Sequence, residues 1–238
     1  MLKIKYLALA AAAAFSIIAP SVSHATTINI TNYSFSTGSQ DGLLHLTAGG
    51  PFNNTTPSFG QFKLTGTNVT AGNTPVTFFT YCVDLANALF VPGAFTVEPL
   101  SLLFSPTQAT NMTKLLANVA SPVTADQSAA MQLAMWEIAF DLSASQDVQS
   151  GGTQGDFWVT SGSSSTARTL ANSYLANLTT WSVPAGGNAY LLYNAQNQSQ
   201  IFFAAVAVPE AATWGMMIVG FGVVGATMRR RKQAYRLA

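Results

Sequence analysis

Val76-Thr77-Phe78-Phe79-Thr80-Tyr81-Cys82-Val83 is the strongest strand in the sequence, built of β-branched and aromatic residues. Alternation places Cys82 on the face of Phe78 and Thr80, and Tyr81 on the face of Phe79 and Val83. Upstream, Ile28, Ile30, Tyr33 and Phe35 are spaced mostly by two, as are Leu44 and Leu46, so both stretches read as strands. Gly49-Gly50-Pro51 and Asn53-Asn54 are turn residues. Residues 59–64 form a further predicted strand, and residues 68–75 a polar loop.

Past Pro92-Gly93 the period changes to helical. Ser105-Pro106-Thr107-Gln108 supplies a cap, a proline at the first helical position and a glutamine at the third, predicting a helix to about Val119, closed by Pro122. Thr124-Ala125-Asp126-Gln127 reads as a second capping box, with a helix over 125–142. Met131, Met135, Ile138 and Leu142 lie along one stripe of it, and Gln132, Trp136 and Ala139 along the next. Residues 145–165 read as a Gly/Ser-rich loop pinned by Phe157-Trp158, and 168–178 as a third helix with Ala171, Tyr174, Leu175 and Leu178 on its apolar face. Residues 190–193 and 201–206 are closing strands. The expected fold class is α+β: a β-rich, sandwich- or barrel-like domain over residues 26–207, with a helical insertion.

The two ends read differently. Residues 1–25 have the order of a secretory signal peptide. Lys3 and Lys5 precede an apolar run, Pro20 breaks it, and small residues flank a cleavage between Ala25 and Thr26. Residues 208–238 begin with Pro209-Glu210, continue through Trp214 into an apolar Gly-rich segment, and end in Arg229-Arg230-Arg231-Lys232. An apolar helix tipped by arginines sits with its basic end in the cytoplasm. This order resembles the PEP-CTERM sorting signal, with Ala211 in place of the second proline. The resemblance implies export through the inner membrane of a Gram-negative bacterium and anchoring by the transmembrane helix. It also implies recognition by an exosortase and delivery to the cell surface or extracellular matrix.

Charge excludes several functions. Seven of the ten basic residues lie at the ends, leaving Lys63, Lys114 and Arg168 against eight acids between Thr26 and Val208. Such a domain has no electrostatic footprint for nucleic acid. Asp141, Asp147 and Asp156 lack the spacing of a calcium loop, and no Cys/His cluster exists for zinc. No phosphate cradle is present, and no cofactor is expected.

Cys82 is the single cysteine, so an intramolecular disulfide is impossible, and a leftover thiol in an exported chain is either reactive or a buried apolar group. Tyr81-Cys82-Val83-Asp84, followed on a helix by Met131-Gln132-Leu133-Ala134-Met135-Trp136-Glu137, resembles the thioester domains of bacterial surface adhesins. The resemblance implies a bond between Cys82 and Gln132, in a dry pocket that Tyr81 and Trp136 line or orient, as Met131 and Met135 also can. Asp84 and Glu137 then either assist proton transfer or are solvated or hydrogen-bonded acids. Attack by an amine or hydroxyl of a partner, such as an exopolysaccharide or a surface protein, then leaves a covalent link to residue 132 and frees Cys82. That chemistry is used once, without turnover, so the chain is not expected to be an enzyme. Two alternatives stay open. One is a non-covalent structural protein of a biofilm matrix. The other is an enzyme with Cys82 as nucleophile and His45 as base, although nothing in the sequence brings His45 near Cys82.

Overall fold

The computed structural model describes residues 26–119, 121–141, 146–149, 155–162 and 164–205. In chain order its elements are β1 (Thr27–Phe35), β2 (Gln40–Asp41), β3 (Leu43–Leu46), β4 (Ser58–Phe59), β5 (Phe62–Asn68), β6 (Thr74–Cys82) and β7 (Gly93–Pro99). A 3-10 turn (Leu100–Leu102) leads to α1 (Pro106–Asn118) and α2 (Ala125–Phe140). Then come β8 (Phe157–Thr160), α3 (Ser165–Asn177), β9 (Gly187–Tyr193) and β10 (Gln200–Ala205). The expected signal peptide, Leu142 and the C-terminal apolar helix lie outside the described residues. Among those described, no helix is long and apolar enough to cross a membrane.

Six strands close into a barrel in the order β1-β5-β6-β10-β9-β7, and every pair in it is antiparallel. The β-rich reading therefore resolves to a barrel, with α1, α2, β8 and α3 inserted between β7 and β9. β5 and β6 form a hairpin longer than the sequence pattern suggests, because Asn68 still pairs with Thr74. The expected polar loop shrinks to residues 69–73, with Gly72 and Asn73 at positive φ and Asn68 Oδ1 accepting from the amide of Ala71 at 3.0 Å. β7 goes unread in the sequence: Phe95 and Val97 alternate over too short a span between Gly93 and Pro99, yet the strand pairs with both β1 and β9. The expected loop over 145–165 also contains a strand, β8, which pairs with β3. The stretch 59–64 is not one strand. It breaks at Gly60-Gln61, so that β4 pairs with β2 while β5 joins the barrel.

Both helix starts form. Ser105 and Gln108 make a full reciprocal capping box. Thr124 caps α2 through the amide of Gln127, but the Gln127 side chain turns back to the amide of Val123 at 2.9 Å, so this box is half of the expected one. α2 has no solvent-facing stripe over most of its length. Every residue from Ser128 to Ala139 is buried, because α1, α3, β4, β6 and β8 all pack on it. The two expected stripes are thus parts of one wholly enclosed helix.

Paired residues of antiparallel strands share a face. Tyr81, Ile201 and Leu191 share one, and Cys82, Gln200 and Leu192 share the other. All six are buried, so β6 is covered on both sides at its Cys82 end, while Phe79, earlier in the strand, is exposed.

Candidate functional site

The site begins where β5 stops. Phe62 pairs with Thr80, and the next ladder position along β6 is Cys82. No residue of β5 reaches it, because the chain turns away at Gly60-Gln61 toward β4. A Cβ on Gly60 would stand 2.7 Å from Ser128 Oγ and 2.9 Å from the carbonyl of Gly38, so only glycine admits this approach of the strand break to α2. Ser128 accepts the Gln61 amide at 2.6 Å and donates to the Gly38 carbonyl at 3.2 Å. The Gln61 side chain bridges Ser36, at 2.7 Å, and the Tyr81 hydroxyl, at 3.1 Å.

One helical turn after Ser128, Gln132 fills the vacant ladder position. Its Oε1 accepts the Cys82 amide at 2.8 Å, and its Nε2 donates to the Cys82 carbonyl at 2.7 Å. A side-chain amide thus supplies both bonds that a neighbouring strand would have given. It is fully buried, as is Cys82. One turn further on, Trp136 reaches the thiol side of Cys82. Its ring meets Phe59 edge-on at 5.7 Å and Phe157 at 6.1 Å. Ser128, Gln132 and Trp136 are therefore one line along α2, tying down the strand break, the Cys82 backbone and the Cys82 side chain in turn.

The thiol donates to the Asp84 carbonyl at 3.0 Å, and the Asp84 amide approaches the sulfur at 3.4 Å. Burial pushes its pKa up to about 12, against the Asp84 amide and the Trp136 indole, which both favour the thiolate, while the Asp84 charge opposes it. Among the described residues the buried indole N–H meets no partner at full hydrogen-bond geometry. The Asp84 carboxylate is occupied elsewhere. It accepts the amides of Ala86 and Asn87 at 2.7 and 3.2 Å and the Asn87 side chain at 2.9 Å, which shapes the turn after β6.

Cys82 and Trp136 line a cavity of about 290 Å³ walled by Tyr33, Phe35, Phe59, Phe62, Leu85 and Leu89, with Gln198 as a polar member. The remaining expected residues lie apart from it. Tyr81 is on the opposite face of β6, where it lines a different cavity with Met131 and Leu116, and burial pushes its phenol pKa up. Met135 is buried in the core. Asp84 borders a third cavity with Asn87, Phe104 and Tyr193. Glu137 is buried and accepts the Asp147 amide at 2.7 Å. Burial first, and then the charge of Asp141, raise its pKa to about 9, so it holds its proton at neutral pH and is no base there. His45 stacks on Trp158 at 4.9 Å and bonds Asn54 and Thr160, away from the Cys82 cavity. No group of three or more His, Cys, Asp or Glu side chains among the described residues is arranged to hold a metal ion.

Sequence reasoning passed over Gln198 and Gln200. Thr80 Oγ1 donates to Gln200 Oε1 at 3.0 Å, Gln200 Nε2 to Gln198 Oε1 at 3.1 Å, and Gln198 Nε2 to the Asp84 carbonyl at 3.2 Å, the same oxygen that takes the thiol. The signal for this chain is the polar run Asn197-Gln198-Ser199-Gln200 set directly against an apolar strand, all four residues being buried.

The thioester domain of the Staphylococcus aureus TIE protein is similar in structure at a TM-score of 0.40 and 11% identity, over 75% of this chain and 78% of that one. No curated protein matches the chain by sequence. Residues 207–232 match the PEP-CTERM protein-sorting motif. The chain therefore carries a signal that implies an extracellular protein, exported, held at the membrane and then processed by an exosortase.

Proposed function

We propose that Cys82 and Gln132 form an internal thioester, and that the exported domain uses it once to attach covalently to a surface or matrix partner. The observation that supports this most is the double hydrogen bond of the Gln132 carboxamide to Cys82, in a buried site with an apolar cavity on the thiol side. Both bonds go to the backbone of the residue that carries the thiol, so the acyl carbon is held within one side chain's reach of Sγ.

In bond formation the sulfur adds to the Gln132 carbonyl carbon, the C–N bond breaks, and the thiol proton leaves with the amide nitrogen as ammonia. The Cys82 N–H at 2.8 Å from Oε1 is a ready donor for the oxygen as negative charge develops on it. The Cys82 carbonyl holds the departing nitrogen at 2.7 Å. Burial raises the thiol pKa and so slows the first step. It also keeps water from the finished thioester. A partner amine or hydroxyl then takes the acyl group and returns the proton to sulfur, so the domain reacts without turnover and is not an enzyme.

The partner is an exopolysaccharide or a surface-protein amine, met at the cell surface or in the extracellular matrix of a Gram-negative bacterium after exosortase processing. The exported protein should incorporate methylamine at residue 132, and Cys82→Ala should abolish it. Incorporation that survives that substitution contradicts the proposal. A second reading rests on the same two hydrogen bonds. Gln132 completes the β6 ladder without bonding to sulfur, and the domain is a non-covalent matrix component. In that case methylamine adds nowhere and the thiol titrates freely on unfolding.

A further inference from the structure

The Cys82 cavity is walled mostly by aromatic and aliphatic side chains, with the exposed Ser58 and the buried Gln198 as polar members, and no charged residue lines it. A nucleophile reaching the thiol side loses part of its water, and the hydrogen on its reacting atom needs an acceptor. The Asp84 carboxylate is committed to its own turn, and neither it nor Glu137 lines this cavity. Gln198 lines the cavity, is 7% exposed, and its amide orientation is set by its neighbours. The Asp84 carbonyl can only accept, so Nε2 must face it, and Oε1 is left as the acceptor. Oε1 takes one N–H from Gln200, which leaves its second lone pair open.

We propose that Gln198 is the positioning residue of the attack step, its Oε1 accepting a hydrogen from the incoming amine or hydroxyl beside the Cys82 sulfur. The inference rests on the thioester reading above. The amine nitrogen, held through one N–H, adds to the Gln132 acyl carbon. The C–S bond breaks, and the proton lost by nitrogen goes to Sγ, which regains its donor contact with the Asp84 carbonyl. A nucleophile that reacts as a thiolate carries no hydrogen on the attacking atom and gains nothing from Oε1, so Gln198 selects amines and hydroxyls over thiols.

The test compares wild-type exported protein with Gln198→Met, which keeps the volume and removes the acceptor. Intact mass first establishes that each carries the thioester. The rates of methylamine attack and of exchange with 2-mercaptoethanol are then measured. Methylamine attack should slow about tenfold, the worth of one hydrogen bond in the transition state, with thiol exchange unchanged. Gln198→Asn, which withdraws the same acceptor by one methylene, should show the same selective loss and serves if the methionine variant does not fold. Equal slowing of both reactions, or slowing of neither, overturns the proposal. Absence of the thioester from the wild-type protein overturns instead the reading on which it rests.

Discussion

Gln132 occupies the place of a strand residue opposite Cys82, bonding its amide at 2.8 Å and its carbonyl at 2.7 Å where β5 has turned away. The substitution of a side chain for a backbone partner joins the buried helix to the barrel at the one cysteine. It also makes Gln132 structural before any chemistry takes place.

Gln132→Leu should therefore destabilise the domain even if no thioester ever forms. Two buried backbone groups of Cys82 would lose their partners, at about 1–3 kcal/mol each. Urea unfolding should show a midpoint well below that of wild type with an unchanged slope. Gln132→Glu retains the acceptor for the Cys82 amide but sets a carboxyl oxygen against the Cys82 carbonyl, so its loss of stability should be relieved at acid pH.

Glu137 gives the domain a pH dependence of definite sign. Its pKa is raised from 4.5 to about 9 by burial, with Asp141 adding to the shift and the hydrogen bond from the Asp147 amide opposing it. Below pH 4.5 both folded and unfolded states hold its proton. Between about 5 and 9 only the folded state does, so the group's contribution to stability declines as pH rises through that window. The thermal midpoint should fall from pH 5 toward pH 9, and Glu137→Gln should flatten the profile. A midpoint that rises across the same range in wild type contradicts the placement of this carboxyl. The Cys82 thiol adds a loss of the same sign between pH 9 and about 12, but only while it is a thiol. A formed thioester removes that upper arm.

The fold was legible where side-chain pattern and local chemistry agree. β6 announces itself by its β-branched and aromatic residues, and the starts of α1 and α2 by their caps. β7 and β8 stayed hidden because each is short and is held by pairing with residues distant in sequence, which no local window contains. The break at Gly60-Gln61 is likewise a tertiary event, since it depends on Ser128 arriving from α2. Cys82 and Gln132 could be coupled only through a resemblance of motifs. Their geometry, and the relay through Gln198 and Gln200, needed the fold. Tyr81 shows the limit of motif reasoning. It is adjacent to Cys82 in sequence and therefore on the other face of the strand, away from the thiol.

Gly60→Ala should test the strand break. The added methyl collides with Ser128 Oγ and with the Gly38 backbone, and backbone cannot yield cheaply. A loss of about 1–3 kcal/mol is expected, as for overpacking elsewhere. Adding Ser128→Ala should not restore it, because the Gln61 amide then loses its acceptor and the Gly38 carbonyl still meets the methyl. A wild-type midpoint for the single variant would contradict the close packing of α2 on the break.

The most direct measurement is the intact mass of the exported protein, purified without reducing agent or amine. The mass of its Cys82→Ala variant, corrected for the substitution, is the reference. The thioester account predicts that wild type is lighter by one ammonia, gains one methylamine on treatment, and then exposes one titratable thiol. Equal masses, with the thiol already titratable when the fresh protein is unfolded, would contradict it and leave Gln132 as the structural partner of β6 alone.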